Sequence, residues 1–161
     1  MLENHTIVRL NAEFFEKHKE HTEILSKPER PHLVLVVQIE SLTFAIPFRT
    51  SAHHPKHGKV SHCFFFSNSG RQKLSKDGRI PALDFSKAVI VTEEDIGKLA
   101  MIDHAEFMEL QDNMKNIEVK FKSFLNFYLE SVKTETNLDN PIIKYSALQY
   151  FKDKLLSINF D

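Results

Sequence analysis

The residues best suited to chemistry lie in one short stretch of the sequence, PFRTSAHHPKHGKVSH at 47–62. An arginine is followed there by two hydroxyl residues and by four histidines: Arg49, Thr50, Ser51, His53, His54, His57 and His62. Histidine takes up and releases protons near neutral pH, and arginine binds a phosphate group through two parallel hydrogen bonds. This combination of residue types is suited to breaking a phosphodiester bond without a metal ion.

Cleavage of RNA by this route uses the ribose 2′-OH, which attacks the adjacent phosphorus while the 5′-oxygen leaves. The reaction needs a base for the 2′-OH, an acid for the leaving oxygen and a fixed positive charge for the phosphorane oxygens. We assign the positive charge to Arg49 and phosphate positioning to Thr50 or Ser51. The acid and the base are expected to be two of three histidines, His53, His54 and His62.

The same stretch leaves other interpretations open. A metal site made of three of its four imidazoles lacks a nearby acidic residue that would orient the ligands. Cys63 beside His62 could act as a nucleophile, but a cysteine that opens an aromatic strand is more often a small buried residue. A solvated basic loop without chemistry is the plainest alternative. We expect neither a metal ion nor an organic cofactor.

Charge is unevenly distributed along the chain. Its formal net charge is −1, yet residues 41–76, called the basic segment below, contain no Asp or Glu. A basic segment in a nearly neutral protein favours contact with a polyanion. We expect RNA to be held by Lys56, His57, Lys59, Arg71, Lys73, Lys76 and Lys87, the last of which interrupts an apolar stretch.

Composition indicates one soluble globular domain over residues 1–161, with 42% hydrophobic and 27% charged residues. A single cysteine excludes a disulfide framework and a cysteine-rich zinc site. The longest apolar run, LVLVV at 33–37, is far shorter than the roughly 20 residues that span a bilayer. The N-terminus lacks the pattern of a signal peptide. We therefore expect a cytoplasmic protein with no membrane partner.

Hydrophobic patterning predicts an α+β domain. Strands are predicted at 5–10, 32–40, 43–48, 63–67 and 82–91, with a polar loop over 49–62. Helices are predicted from a cap at Asn11 to about Ser26, from about Ala105 to Val132 as one long helix, continuous or broken, and at 146–157. These elements predict a compact antiparallel, partly barrelled sheet with packed helices and a long C-terminal helix.

Three stretches in order along the chain resemble one known family: HLVLVVQIESLTFAIPFRTSAHH, HCFFF and IPALDFSKAVIV. Their order is similar to that of the type III toxin–antitoxin toxins, the ToxN/AbiQ endoribonucleases, and closest to the TenpN-like branch. The resemblance covers roughly residues 5–130, and its specific part is 44–91. Where the ToxN branch has Leu-Thr-Ser-Pro-Lys, this sequence has Phe-Arg-Thr-Ser-Ala at 48–52. The resemblance thus gives the role of that lysine to Arg49 or to a histidine.

The resemblance implies a fold similar to that of the Kid/MazF-like ribonucleases, elaborated with helices. It implies a metal-independent, sequence-specific endoribonuclease that leaves a 2′,3′-cyclic phosphate and a 5′-hydroxyl on its substrate, expected to be messenger RNA. The implied antitoxin is an RNA of repeated pseudoknots, which assembles with the toxin into a closed heteromeric complex. Growth inhibition and abortive phage defence are the implied roles. The rival interpretation is a non-catalytic RNA-binding or protein-interaction module that uses the basic segment.

Overall fold

Antiparallel strands form the framework of the protein. A computed structural model describes residues 3–24, 33–53, 62–66 and 79–158, with the backbone alone at 50–53 and 79–80. Seven strands lie within these ranges: β1 (Ile7–Leu10), β2 (Leu33–Ile39), β3 (Leu42–His53), β4 (Cys63–Phe65), β5 (Arg79–Asp84), β6 (Val89–Ile90) and β7 (Ile96–Leu99). Their order across the sheet is β4-β5-β3-β2-β1-β7, and β6 pairs with β3. Among the described residues the two edge strands, β4 and β7, do not pair, so the sheet is open and does not form a complete barrel.

Five α-helices accompany the sheet in the described part of the chain. They are α1 (Ala12–Lys17), α2 (His104–Asp112), α3 (Met114–Thr134), α4 (Pro141–Lys144) and α5 (Lys152–Leu156). Short 3₁₀ turns lie at Phe85–Lys87, Glu93–Asp95 and Ala147–Phe151. The predicted α+β class is therefore confirmed. No helix among the described residues combines the length and the apolar character that a bilayer crossing requires.

The long helix α3 packs on the sheet through an apolar stripe. Five of its seven buried residues have neighbours three or four positions away, which places them on one helical face: Ile117, Phe121, Phe124, Leu125 and Tyr128. The Phe121 ring lies edge-on to Phe44 of β3, with 5.1 Å between the ring centroids. The core thus lies between the sheet and α3. The predicted long helix is broken at Asn113, whose backbone N–H donates to the carbonyls of the preceding turn.

The first helix is shorter than predicted. Asn11 caps α1 as expected, since its side chain accepts a 2.9 Å hydrogen bond from the backbone N–H of Phe14. However, the helix ends at Lys17 rather than near Ser26. After the helix the chain packs on the C-terminal elements, where His18 contacts Phe14 and Phe151 and His21 stacks on Tyr150. The last predicted helix is likewise divided, into the 3₁₀ turn Ala147–Phe151 and α5.

Two predicted strand boundaries are wrong, and both errors lie beside the predicted site. β3 continues through residues 49–53, where a polar loop was expected, because β5 pairs with this extension. The predicted strand at 82–91 is interrupted by the turn Phe85–Lys87. Asp84 causes the interruption, since its side chain accepts the backbone N–H of Ser86 and so caps the turn.

Candidate active site

A β-bulge lies at the point where the predicted site residues leave the core. Arg49 pairs with Ala82 of β5, but the next pair joins Ala52 to Ile80, so β3 has one residue more than β5 in this interval. Thr50 and Ser51 occupy the bulge. Bulges re-aim side chains and are frequent next to active sites. The register therefore gives Arg49 and its two hydroxyl neighbours an irregular backbone rather than the regular ladder.

The two faces of the β3-β5-β4 region differ in chemistry. Alternating residues send Phe48, Leu83 and Phe64 into the main core. The opposite face carries Arg49, Asp84 and a small separate apolar group: Cys63, Phe65 and Ala82. The Arg49–Asp84 pair therefore lies on the face of the sheet that the main core does not use.

Asp84 is the acceptor around which this face is organised. Its side chain is 1% exposed, and Oδ2 accepts a 2.9 Å hydrogen bond from Nη1 of Arg49. Its other oxygen, Oδ1, accepts from the Ser86 backbone N–H at 3.0 Å and from the Ser86 hydroxyl at 2.5 Å. The Arg49 side chain is 38% exposed. The pair thus joins a buried anion to a cation that reaches solvent.

His62 is the predicted histidine whose side chain the structure places in this site. One of its ring nitrogens, the Cys63 sulfur and an Asp84 carboxylate oxygen all lie within 4.8 Å of one another. Its backbone carbonyl accepts a 2.8 Å hydrogen bond from the N–H of Phe85, which fixes β4 against the turn after β5. The ring also lies edge-on to Phe65 at 6.3 Å. Arg49 and His62, which are 13 positions apart in sequence, therefore meet at one carboxylate.

Cys63 has the properties of a buried packing residue. Its relative exposure is 1%, and it lies opposite Asp84 in the β4–β5 pairing. Burial raises the pKa of its thiol well above the usual value, and the neighbouring Asp84 carboxylate, to which the thiol donates a hydrogen bond, raises it further. A nucleophilic cysteine needs the opposite shift, because the thiolate is the reactive form. Cys63 therefore does not fit the nucleophile considered from the sequence.

The grouping of His62, Cys63 and Asp84 offers one nitrogen, one sulfur and one oxygen to a metal ion. The surroundings of the three atoms do not fit a cation. Both Asp84 oxygens already accept hydrogen bonds, and the guanidinium of Arg49 places a positive charge 2.9 Å from one of them. The cysteine would also have to lose a proton that its surroundings retain.

The described residues bring together only part of the predicted site. Arg49 and His62 meet at Asp84, whereas Thr50, Ser51 and His53 are placed through their backbone alone, on the extended part of β3. One predicted acid–base residue and six predicted RNA-binding residues lie outside the described residues: His54, Lys56, His57, Lys59, Arg71, Lys73 and Lys76. Their roles stay predictions.

Lys87 lies in the 3₁₀ turn that follows Asp84. Its Nζ donates to Glu23 Oε2 at 2.9 Å and to the Tyr145 carbonyl at 2.6 Å. The side chain is 14% exposed. The lysine thus ties the turn to the segment after α1 and to the end of α4. Its predicted contact with RNA stays a prediction.

Sequence reasoning missed Asp84 and Ser86. A signal for Asp84 was available, because an aspartate within the apolar run ALDF requires a donor once it is buried. The identity of that donor was not readable, since Arg49 lies 35 positions away and reaches Asp84 only through the β3–β5 pairing. Ser86 could be suspected only after the turn at 85–87 was known.

Comparison with known proteins adds one finding about the fold. No protein-family model and no curated protein matches the chain. A solved structure described as "A processed non-coding RNA regulates a bacterial antiviral system" is similar, with a TM-score of 0.56 and 14% sequence identity. The similarity covers 78% of this chain and 87% of that one, which is a ToxN structure. At this identity the likeness shows a shared fold, and it agrees with the predicted α+β class of an antiparallel sheet with packed helices.

Proposed function

We propose that the protein is a metal-independent, sequence-specific endoribonuclease toxin of a type III toxin–antitoxin system. The observation that carries the proposal is the arrangement at the β3 bulge. A solvent-reaching arginine is held there by a buried carboxylate, and a histidine ring lies beside the same carboxylate. Phosphodiester cleavage without a metal requires such a fixed cation close to a group that can transfer a proton.

The roles follow from the chemistry of each group. Arg49 stabilises the negative charge that develops on the phosphorane oxygens, and the residues of the bulge, Thr50 and Ser51, position the phosphate. His62 transfers one of the two protons. The second proton is assigned to His53 or His54. The 2′-OH adds to phosphorus and the 5′-oxygen departs, so the products carry a 2′,3′-cyclic phosphate and a 5′-hydroxyl.

Charge and fold both support the proposed RNA partners. The basic segment supplies cations that can hold an RNA backbone. The description of the ToxN structure that shares the fold states that a processed non-coding RNA regulates a bacterial antiviral system. We assign to this chain an RNA antitoxin of repeated pseudoknots, which occupies the same face and closes a protein–RNA assembly. The substrate would be messenger RNA in the cytoplasm, and the outcome growth arrest during phage infection.

The activity is tested with protein freed of bound RNA, supplied with an RNA and with the same sequence carrying 2′-deoxyribose throughout. Three proteins are compared: wild type, Arg49→Lys, and Arg9→Lys as a matched control at an exposed arginine of β1. Wild type and the control should cleave the RNA and leave the deoxy strand intact. Arg49→Lys keeps the positive charge but loses the planar donor array, and we expect a loss of about 10²-fold in rate.

Three results would count against the proposal. Cleavage of the deoxy strand would show that the 2′-OH is not the nucleophile. Full activity of Arg49→Lys would remove the assigned role of the guanidinium. Tight binding of RNA without cleavage by the wild type would establish the rival, a non-catalytic RNA-binding module.

A further inference from the structure

We infer that Asp84 is a positioning residue, which holds the Arg49 guanidinium in the orientation that binds a phosphate group. The inference deepens the proposed function and rests on it for the identity of the phosphate, which belongs to RNA. Asp84 itself is 1% exposed, so a phosphate group in solvent would meet Arg49 rather than Asp84. Its action passes through Arg49.

The buried Asp84 carboxylate is held in a fixed position. An ionised carboxylate that is removed from water is costly unless hydrogen bonds and an opposite charge compensate it. Asp84 has such compensation from Arg49, from both donors of Ser86 and from the Cys63 thiol. Four donors from three residues fix the carboxylate in one position. The partner of so constrained an anion is constrained in turn.

The hydrogen bond between Arg49 and Asp84 holds the guanidinium at one nitrogen. Within the described residues, Asp84 receives one of the five N–H groups of the guanidinium, through Nη1. The others belong to a side chain that is 38% exposed and starts at the bulge. A free arginine on a surface loses rotamer entropy when it binds. An arginine already held at one nitrogen loses less, and its free edge is aimed before the phosphate arrives.

A purely structural ion pair is the alternative, and Asp95 provides a control for it. Asp95 has a buried side chain, 6% exposed, which pairs with Lys17 at 2.7 Å and accepts the backbone N–H of Thr92, the residue that precedes the 3₁₀ turn Glu93–Asp95. Asp95→Asn should therefore perturb folding in the same way as Asp84→Asn, but it lies beside α1 and not at the bulge. Any effect specific to Asp84→Asn then concerns Arg49.

The experiment observes Arg49 directly and measures cleavage separately. The Nε–H signal of Arg49 in ¹⁵N-labelled protein is assigned by its loss in Arg49→Lys. The order parameter of this Nε–H bond is then measured in wild type, Asp84→Asn and Asp95→Asn, before and after addition of a fully deoxy-substituted 12-nucleotide strand. Steady-state cleavage of the matching RNA gives kcat and KM. Ser86→Ala, which removes one donor and keeps the carboxylate, serves where Asp84→Asn does not fold.

We expect an ordered Arg49 signal in wild type and Asp95→Asn that shifts when the deoxy strand binds. In Asp84→Asn the free arginine should be mobile, the strand should bind at least about fivefold more weakly, and kcat should fall about 10- to 100-fold. Ser86→Ala should change the same quantities in the same direction but less. The inference is overturned if the Arg49 order parameter is the same in wild type and Asp84→Asn, or if the Arg49 signal does not shift when the strand is added. If wild type does not cleave the RNA, but the Arg49 signal is ordered, shifts with the strand and becomes mobile in Asp84→Asn, the proposed activity is overturned and the positioning role is supported.

Discussion

Replacement of Arg49 by alanine isolates the energetic consequence of the buried carboxylate. The substitution leaves Asp84 at 1% exposure without its cation, while the Ser86 and Cys63 donors stay in place. Removal of one partner from a fully buried ion pair costs about 3–5 kcal/mol. Arg49 is 38% exposed, so water can reach the space that it vacates, and the three remaining donors still stabilise the anion. We therefore expect a smaller loss, about 1–3 kcal/mol.

A second substitution shows whether the stranded charge is the cause. In Arg49→Ala, the additional change Asp84→Asn removes the charge that has lost its partner, so it should cost little or restore stability. In wild type, Asp84→Asn removes the anion from an intact pair and should destabilise the protein. The two effects should be non-additive by about 1–2 kcal/mol. Arg49→Lys retains the cation and should lie close to wild type.

Urea and thermal unfolding of the four proteins of this cycle supply the measurement. For a chain of 161 residues, 1 kcal/mol corresponds to about 2–4 °C in Tm, so Arg49→Ala should unfold about 2–12 °C below wild type. Arg9→Ala, at an exposed position of β1, is the matched control and should stay within about 0.5 kcal/mol of wild type. Strict additivity of the two changes, or an Arg49→Ala protein as stable as wild type, would refute the reasoning.

Three further outcomes are expected. Burial lowers the pKa of His18 below its usual 6.5, and the neighbouring His21 and Lys17 lower it further. Below pH 6.5 the His18 imidazole is therefore protonated in the unfolded chain more readily than in the folded protein, which favours unfolding. The contribution of neutral His18 to the free energy of unfolding should thus be fully present above about pH 7.5 and decrease as the pH drops through 6.5. Thermal melts of His18→Asn should lack this decrease. Those of His104→Gln, at an exposed control position, should keep it. The raised pKa of Cys63 predicts that a disulfide reagent modifies the native thiol far more slowly than the urea-unfolded thiol, and equal rates would contradict the burial described above. Binding of the deoxy strand should weaken linearly in a plot of log affinity against log salt, since contact with phosphates releases counterions, and a flat plot would exclude a role for the basic segment.

Sequence patterns predicted the parts of the fold that depend on local chemistry. The apolar stripe of α3, the buried run of β2 and the Asn11 cap are all visible as residue types at fixed spacing. β7 was missed because its sequence, IGKL, contains a glycine and a mostly exposed face, which give no alternating pattern. The division of the strand at 82–91 depends on a side chain that bonds to its own backbone, and such competition is not a matter of hydrophobic periodicity.

The candidate site shows the same limit at longer range. Arg49 and His62 could be chosen from the sequence because their types suit phosphate chemistry and they lie in an acid-free segment. Their convergence on Asp84 depends on the β3–β5 and β4–β5 registers and on one bulge. A shift of one residue in either register would turn the side chains to the opposite face. Residue type thus pointed to Arg49 and His62 as candidates, whereas strand pairing determined that both lie at Asp84.

The chemical nature of the ends left on a cleaved RNA tests the central claim most directly. Protein freed of bound RNA is incubated with a defined RNA in the presence of EDTA, and the fragments are weighed by mass spectrometry. We predict a 2′,3′-cyclic phosphate on the upstream fragment and a 5′-hydroxyl on the downstream one, with Arg49→Lys forming both about 10²-fold more slowly. Fragments with a 5′-phosphate, or cleavage that EDTA abolishes, would contradict an arginine-centred, metal-independent attack by the ribose hydroxyl.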